Sequence, residues 1–202
     1  MQFDVEKLEN LVIYACRKAE RSALGAVKLH KVLYFSDMLF YAEHGTAITG
    51  ATYRKRPFGP TCDVLLSSLR SLEKRGAIRI HEVDYFGYLK KEFESLTQPE
   101  LSRFSELEIA LVDEVVDFVC NENSAKTISD FSHNRAWESV EFGDVIRYNS
   151  VFSIFPTDVS PEAIEWAKAE VERLASARSS KASVARHDFR DFRDRVLQAR
   201  GA

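Results

Sequence analysis

The residue types best suited to covalent chemistry lie side by side in one short stretch of this chain, Ser129-Asp130-Phe131-Ser132-His133. A serine hydrolase also requires a nucleophile on a strained turn and backbone donors that form an oxyanion hole. The sequence contains no GxSxG motif. We therefore do not expect this stretch to form a catalytic triad.

His133 and Trp137 are four residues apart, which would stack them on one face of a helix if the helix continues through them. A catalytic histidine and a packed one share this spacing. The favoured interpretation is a core histidine that is satisfied by hydrogen bonds beneath the tryptophan.

Side chains that could bind a metal or a phosphate are scattered along the chain. The five histidines form no HxxxH pair and the three cysteines form no CxxC pair, so a metal site is not predicted. Neither a GxxxxGK[ST] nor a GxGxxG loop occurs. The run Arg54-Lys55-Arg56 could meet phosphate, although such a run on a loop is usually solvated. We expect no cofactor, no metal and no enzymatic activity.

The elements that would position these residues are mainly helical. Apolar periodicity predicts helices over residues 4–21 and 27–44, the second buried on more than one side and ended by Gly45. A short β-prone segment over residues 47–53 follows. Pro57 to Pro60 should form a stiff corner, with Pro60 at the start of a helix over residues 61–75 that ends at Gly76.

Alternating residues over 77–83 and 88–93 predict a β-hairpin around Asp84-Tyr85-Phe86-Gly87. The order of helix, stop glycine and hairpin is that of a winged helix. Further helices are predicted over residues 102–121, from Ser124, and from Ser160 to about residue 177, with an extended segment over 145–155 between them. The expected fold class is mainly α (α+β), with a small winged-helix-like hairpin and a C-terminal helical extension.

Bulk composition indicates an ordinary globular protein. The 202 residues are 45% hydrophobic and 29% charged, enough for one domain with an appendage. No apolar run is long enough to span a membrane. The acidic N-terminus lacks the layout of a signal peptide. Three widely spaced cysteines favour reduced thiols in a cytoplasm.

The net charge of −3 conceals a strong segregation of charge. Residues 54–91 carry nine basic and four acidic side chains, a local +5, whereas residues 92–177 carry six and eighteen, a local −12. Residues 178–202 carry seven and three, a local +4. This segregation suggests charge-complementary surfaces, although any single cluster is more often a solvated helix face.

An ordered series of short motifs covers roughly residues 5–155. The first block is Lys28-Leu29-x-Lys31-x-Leu33-Tyr34-Phe35-Ser36-Asp37, His44-Gly45-x-x-Ile48-Thr49-Gly50, Tyr53 and Gly59-Pro60. The second is Ser105-Glu106-x-Glu108, Ser124-Ala125-x-x-Ile128-Ser129-Asp130-x-Ser132-His133, Trp137 and Ile146-Arg147-Tyr148. Taken in this order, the two blocks resemble the Panacea domain, the SocA-like antitoxin family of toxin–antitoxin pairs.

The resemblance implies a binding protein without catalytic residues. Panacea proteins neutralise a partner toxin by direct contact, and the SocA branch acts as an adaptor that presents its toxin to an ATP-dependent protease. The signature residues are expected to be mainly scaffold: glycines for backbone geometry, Pro60 for a helix start, and His133 and Trp137 for packing. The scaffold set is Lys28, Leu33, Tyr34, Gly45, Gly50, Tyr53, Gly59, Pro60, Asp130, His133 and Trp137.

The matched region suggests a domain over residues 1–158, followed by C-terminal helices over 159–202 with a linker near 178–183. In that end, Phe189, Phe192 and Val196 recur at helical spacing among arginines. The end either docks on its own domain or lays its apolar face into a groove of the toxin. The candidate toxin-binding residues are Arg54, Arg56, Phe58, Phe189, Arg190, Phe192, Arg193 and Val196.

We therefore expect a cytoplasmic antitoxin whose partner is a cognate protein toxin. Two alternatives stay open: an adaptor that delivers a toxin to an ATP-dependent protease, and a winged-helix-like regulator that binds DNA. DNA binding is not favoured, because the chain is acidic and the helix over residues 61–75 carries few basic side chains.

Overall fold

A computed structural model describes residues 2–154, 165, 166, 168–170 and 173. As predicted, the fold is mainly α-helical with small antiparallel sheets. Within the described residues, no helix combines the length and the apolar character that crossing a membrane requires.

The two N-terminal helices form at the predicted places. Helix α1 (Val5–Lys18) begins after Asp4, whose side chain accepts a hydrogen bond from the Lys7 backbone. Helix α2 (Ala26–His44) ends at Gly45, which adopts a left-handed φ of 72°. Thirteen of its residues are buried, including three charged ones. The expectation of burial on several sides is confirmed, since α2 contacts α1 and most later elements.

The predicted corner after α2 is a β-hairpin, so the assignment of Pro60 to a helix start is wrong. Strand β1 (Tyr53–Arg56) pairs antiparallel with β2 (Gly59–Cys62), placing Pro60 opposite Lys55. Pro60 is tolerated because β2 is an edge strand of its sheet, where a missing N–H breaks no ladder bond on the open side. Helix α3 (Leu65–Lys74) therefore starts four residues later than predicted.

The second hairpin forms as predicted but is longer. Strands β3 (Ile78–Tyr85) and β4 (Tyr88–Ser95) are joined by the two-residue turn Phe86-Gly87. Both turn residues have positive φ, 53° and 82°, as a type I′ turn requires. The strand pair packs against α1 and α3.

Helix α4 (Glu106–Val116) begins later than the predicted residue 102. Ser105 and Glu108 form a capping box, which sets the start of the helix. The helix continues as a π-helical turn to Asn121. Helix α5 (Ala125–Ser132) starts at Ser124 as predicted.

The chain then turns into the short helix α6 (Arg135–Glu138), and the segment predicted as extended divides into two parts. Strand β5 (Val145–Ile146) pairs with β1, and a 3-10 helix follows over Tyr148–Ser153. The apolar core surrounds α2 and reaches from Leu8 to Val151. The linker and the C-terminal helix predicted beyond residue 177 lie outside the described residues.

Candidate partner-binding surface

A buried lysine on the core side of the β1–β2 turn holds the turn in place. The Lys31 side chain is only 1% exposed, and its Nζ donates hydrogen bonds to the carbonyl oxygens of Phe58 at 2.5 Å and Pro60 at 3.1 Å. The Ser129 hydroxyl donates to the same Phe58 carbonyl at 3.2 Å. Burial lowers the pKa of Lys31 to about 7. Helices α2 and α5 thus both hold the turn.

Gly59 allows this close approach. Its φ is +90°, and a Cβ at this position would meet the Ser132 hydroxyl and lie 2.6 Å from Lys31 Nζ. Ser132 Oγ is in turn held by the Ser129 carbonyl at 2.6 Å. A side chain at residue 59 would therefore displace the polar contacts that anchor the turn.

The outer side of the turn carries exposed aromatic and basic side chains. The Phe58 side chain is 70% exposed although its carbonyl is bound from below. Arg56 is exposed, and its carbonyl accepts a 3.2 Å hydrogen bond from Trp137 Nε1. The Phe142 ring, 63% exposed, lies edge-to-face with Trp137 at 5.7 Å between centroids. We call Arg56, Phe58, Trp137 and Phe142 the turn patch.

Lys55 connects the turn patch to the core. Its Nζ lies 4.1 Å from the centroid of Trp137 and 5.1 Å from that of Phe142, and it donates to the Val140 carbonyl at 2.8 Å. Such a cation–π arrangement holds aromatic rings in fixed orientations. The rings are therefore positioned by a side chain that is itself buried.

His133 and Trp137 stack as predicted, but for another reason. Helix α5 ends at His133 and Asn134 caps the new helix α6, so the two residues do not share a helix. Their ring centroids are nevertheless 4.1 Å apart at 25°. The predicted satisfaction of His133 by hydrogen bonds holds only in part: the side chain forms a hydrogen bond with the Pro57 backbone, but the buried Nε2 has no partner among the described residues. Burial lowers the pKa of His133.

A second polar centre organises the segment between α2 and β1. The fully buried Asp37 carboxyl accepts hydrogen bonds from the backbone and hydroxyl of Thr49 and from the hydroxyls of Tyr53 and Tyr148. Burial raises the pKa of Asp37, against the opposing effect of these hydrogen bonds. The hydrogen bond between Asp37 and Tyr148 connects the first block of sequence motifs with the second.

The structure separates the candidate residues into different environments. Arg54 pairs with Asp63 at 2.7 Å and donates to the Gly143 carbonyl at 3.0 Å, so it is engaged within its own domain. Asp130 is exposed, whereas Lys28, Leu33, Tyr34 and Tyr53 are buried. Gly45 and Gly50 both have positive φ. The C-terminal candidates Phe189, Arg190, Phe192, Arg193 and Val196 lie outside the described residues.

Sequence reasoning missed several residues that build this surface. Phe142 carries no periodic signal, because it sits alone in a loop. Lys55 and Asp37 lie within short sequence motifs. The neighbouring residues give no local sign that these charged side chains become buried. Asn134, a typical N-cap residue, was the available signal for the break between α5 and α6.

The second hairpin is not a basic wing. Residues 78–95 contain three basic and four acidic side chains, a net charge of −1. The basic ones are paired across the strands: Arg79 with Glu94 at 3.6 Å, Lys91 with Glu82 at 3.7 Å. Lys90 pairs with Glu92 at 3.1 Å on its own strand. Phosphate contacts would have to compete with these carboxylates.

Nucleophiles and metal ligands are not assembled within the described part of the chain. No group of three or more His, Cys, Asp or Glu there could hold a metal ion. Burial raises the pKa of the thiols of Cys16 to about 12 and of Cys62 to about 11. These cysteines are therefore protonated at neutral pH and lack thiolate reactivity.

Comparison with known proteins gives one family. No curated protein and no solved structure matches the chain. The family model for antitoxin SocA-like proteins with a Panacea domain matches residues 29–138, which is more than half of the chain. The match spans α2 to α6 and thus includes the Lys31 anchor, both hairpins and the His133–Trp137 stack. The chain belongs to the antitoxin SocA-like, Panacea domain family.

Proposed function

We propose that this protein neutralises a cognate protein toxin by stoichiometric binding through the turn patch. The observation that carries the proposal is the double role of Phe58. Its backbone carbonyl is held by Lys31 and Ser129, while 70% of its side chain is exposed. Most of the Phe58 side chain is therefore available to a partner, while its backbone is already held in place.

Preorganisation makes such a residue suitable for binding. Ordering side chains and loops at an interface costs about 0.5–1.5 kcal/mol for each flexible side chain. Because the Phe58 backbone is already fixed, binding need not order the turn, and only the cost of ordering side chains remains. Aromatic residues and arginine are also the types that most often dominate interface energies, and Arg56, Trp137 and Phe142 provide them here.

The family membership supports a toxin as the partner. The neighbouring open reading frame is the natural candidate for that toxin. We therefore expect that expressing the neighbouring gene alone poisons cells, that co-expression of this chain rescues them, and that the two proteins co-purify.

The turn patch itself is tested by Phe58→Ser, with Leu107→Ser as the matched control. Leu107 is 63% exposed on α4, outside the turn patch. Phe58→Ser should weaken toxin binding about tenfold or more without changing the unfolding temperature, and Leu107→Ser should change neither. If wild type and Phe58→Ser bind the toxin with equal affinity, the turn patch is not part of the interface.

Delivery to an ATP-dependent protease is the alternative route by which the same contact could act. The two routes differ in the fate of the toxin. Direct neutralisation predicts rescue, with undiminished toxin levels, in cells that lack the protease. Rescue that requires the protease, with loss of the toxin over time, would favour the adaptor.

We propose that residues 1–158 form the binding domain and that the C-terminal segment contributes to the choice of partner. The support is the apolar core that the described residues form between Leu8 and Val151. The aromatic and arginine residues after residue 185 supply typical interface anchors.

A further inference from the structure

A groove lies apart from the turn patch, where three elements meet. The start of α2, the β3–β4 hairpin and the start of α5 enclose a cavity of about 520 Å³. Gly25 forms an isolated antiparallel bridge with Glu92, which brings the start of α2 against β4. We call this cavity, together with the adjoining tip residues Tyr85, Phe86 and Leu89, the hairpin groove.

The charged side chains that line the cavity are all basic. Lys28, Lys90 and Lys91 line it, and none of the described residues that line it is acidic. Lys28 is 8% exposed, and its Nζ donates to the Cys120 carbonyl at 2.9 Å rather than to a carboxylate.

Two carboxylates compensate part of this positive charge. Lys90 reaches Glu92 at 3.1 Å, but Arg21 shares that carboxylate at 3.3 Å. Lys91 reaches Glu82 at 3.7 Å. The cations at the groove therefore still outnumber these two carboxylates.

The start of α2 adds to the positive potential of the groove. Gly25 caps the helix, and no side chain accepts a hydrogen bond from its first turn. Unpaired N–H groups at a helix start carry partial positive charge. The groove is thus suited to an acidic group.

The outer rim of the groove is apolar, and its residue Phe86 has a strained backbone conformation. Phe86 is 86% exposed and Leu89 76%, and Phe86 is the non-glycine residue with positive φ in the described part of the chain. A bulky side chain is disfavoured in the left-handed region, where asparagine or glycine would serve the turn better. The Phe86 ring meets Tyr85 edge-to-face at 4.9 Å between centroids, but most of the side chain stays exposed. A strained, exposed phenylalanine at this position points to a further contact made by its side chain.

We propose that the hairpin groove is a second docking site for the toxin and receives an acidic segment that carries an apolar side chain. The acidic group meets Lys28, Lys90 and Lys91, and the apolar group packs on Phe86 and Leu89. This inference rests on the proposed function, because it assumes that a toxin is bound. A nucleic acid fits less well, because its run of phosphates would also meet Glu82, Asp84 and Glu94 along the hairpin. A single acidic group in the cavity meets a lining without acidic side chains among the described residues.

The test uses the full-length chain and the purified toxin that the neighbouring gene encodes. Titration calorimetry measures the affinity of wild type, Leu89→Ser, Phe86→Asn and Lys91→Glu. Each variant should raise Kd about tenfold. Raising the salt concentration should weaken the wild type more than Lys91→Glu, because the variant has lost a charge contact. Leu107→Ser and Lys74→Glu, on exposed positions outside the groove, are the controls and should leave Kd unchanged.

The outcomes separate this inference from the proposed function. If the wild type binds the toxin and all three groove variants bind equally well, the hairpin groove is not a docking site, while the proposed function stands. If the wild type does not bind the toxin, the proposed function fails and the inference fails with it. Equal losses in the control variants would indicate a nonspecific effect and would also overturn the inference.

Discussion

Gly59 is the residue on which the geometry of the β1–β2 turn depends. Its φ of +90° disfavours any side chain, and a Cβ would in addition press on Ser132 Oγ and Lys31 Nζ. We expect Gly59→Ala to lower the free energy of unfolding by about 2–4 kcal/mol, the sum of backbone strain and displaced buried polar contacts. Urea denaturation followed by circular dichroism measures this loss.

Gly143 provides a control with nearly the same backbone conformation. Its φ is +93°, but nothing lies within 4 Å of a Cβ built there. Gly143→Ala should therefore show the backbone strain alone, about 1–2 kcal/mol. Equal losses at both glycines would mean that the close approach to Lys31 and Ser132 costs nothing.

Lys31 should make stability depend on pH in an unusual direction. Its pKa is about 7 in the folded state against an ordinary value of 10.5, so between these values the unfolded chain binds more protons. The free energy of unfolding therefore rises with pH in this window and falls as the pH drops toward 7. From about pH 7 to pH 9 we expect this contribution to be on the order of 2 kcal/mol.

The comparison with Lys31→Met isolates this contribution from other titrating groups. The variant keeps an apolar stem but loses the ammonium group. Its unfolding free energy, measured in parallel across the same pH range, should lack the rise. A wild type and variant whose curves stay parallel would show that Lys31 remains charged when buried.

At the scale of elements, local signals predicted helices better than strands. The start of α1 at Asp4, the end of α2 at Gly45 and the start of α5 at Ser124 all follow from capping residues in the sequence. Strand β2 did not follow, because its pairing depends on β1, which in turn pairs with β5 some ninety residues later. Pro60 carried the same local signal for a helix start and for an edge strand.

The candidate site was predictable to a similar degree. Arg56 and Phe58 were predicted and are exposed on the turn patch, whereas Arg54 belongs to an ion pair with Asp63. Phe142 could not be predicted, since it lies in a loop, and only the path of that loop in the folded chain brings its ring to Trp137. A contact made by a loop residue leaves no periodic pattern in the sequence.

The β3–β4 turn allows a prediction in which stability and binding change in opposite directions. Phe86 has a φ of 53° and precedes Gly87 at 82°, and Asn-Gly is the preferred pair for a type I′ turn. Phe86→Asn should thus raise the free energy of unfolding by about 0.5–1 kcal/mol, measured by thermal denaturation, although it weakens toxin binding. A destabilised variant would mean that the Phe86 ring supports the fold.

At the scale of the whole molecule, the scaffold and the recognition surfaces are separate. The family match covers α2 to α6, where buried polar contacts from Lys31 hold the β1–β2 turn and those of Asp37 connect α2 to Tyr53 and Tyr148. The proposed contacts with the toxin lie mainly on the exposed side chains of the turn patch and of the hairpin groove. Such an arrangement would allow these exposed residues to change without loss of the core.

Truncation tests whether the C-terminal segment contacts the toxin. Removing the residues after Ala177 deletes Phe189, Phe192 and the arginines beside them. If the segment contacts the toxin, the truncated chain should keep its unfolding temperature, because it retains the apolar core between Leu8 and Val151, while its affinity falls about tenfold or more. Calorimetry with the toxin and thermal denaturation of the free chain measure the two quantities. A lowered unfolding temperature would instead show that the segment docks on its own domain, and an unchanged affinity in an intact fold would exclude it from the interface.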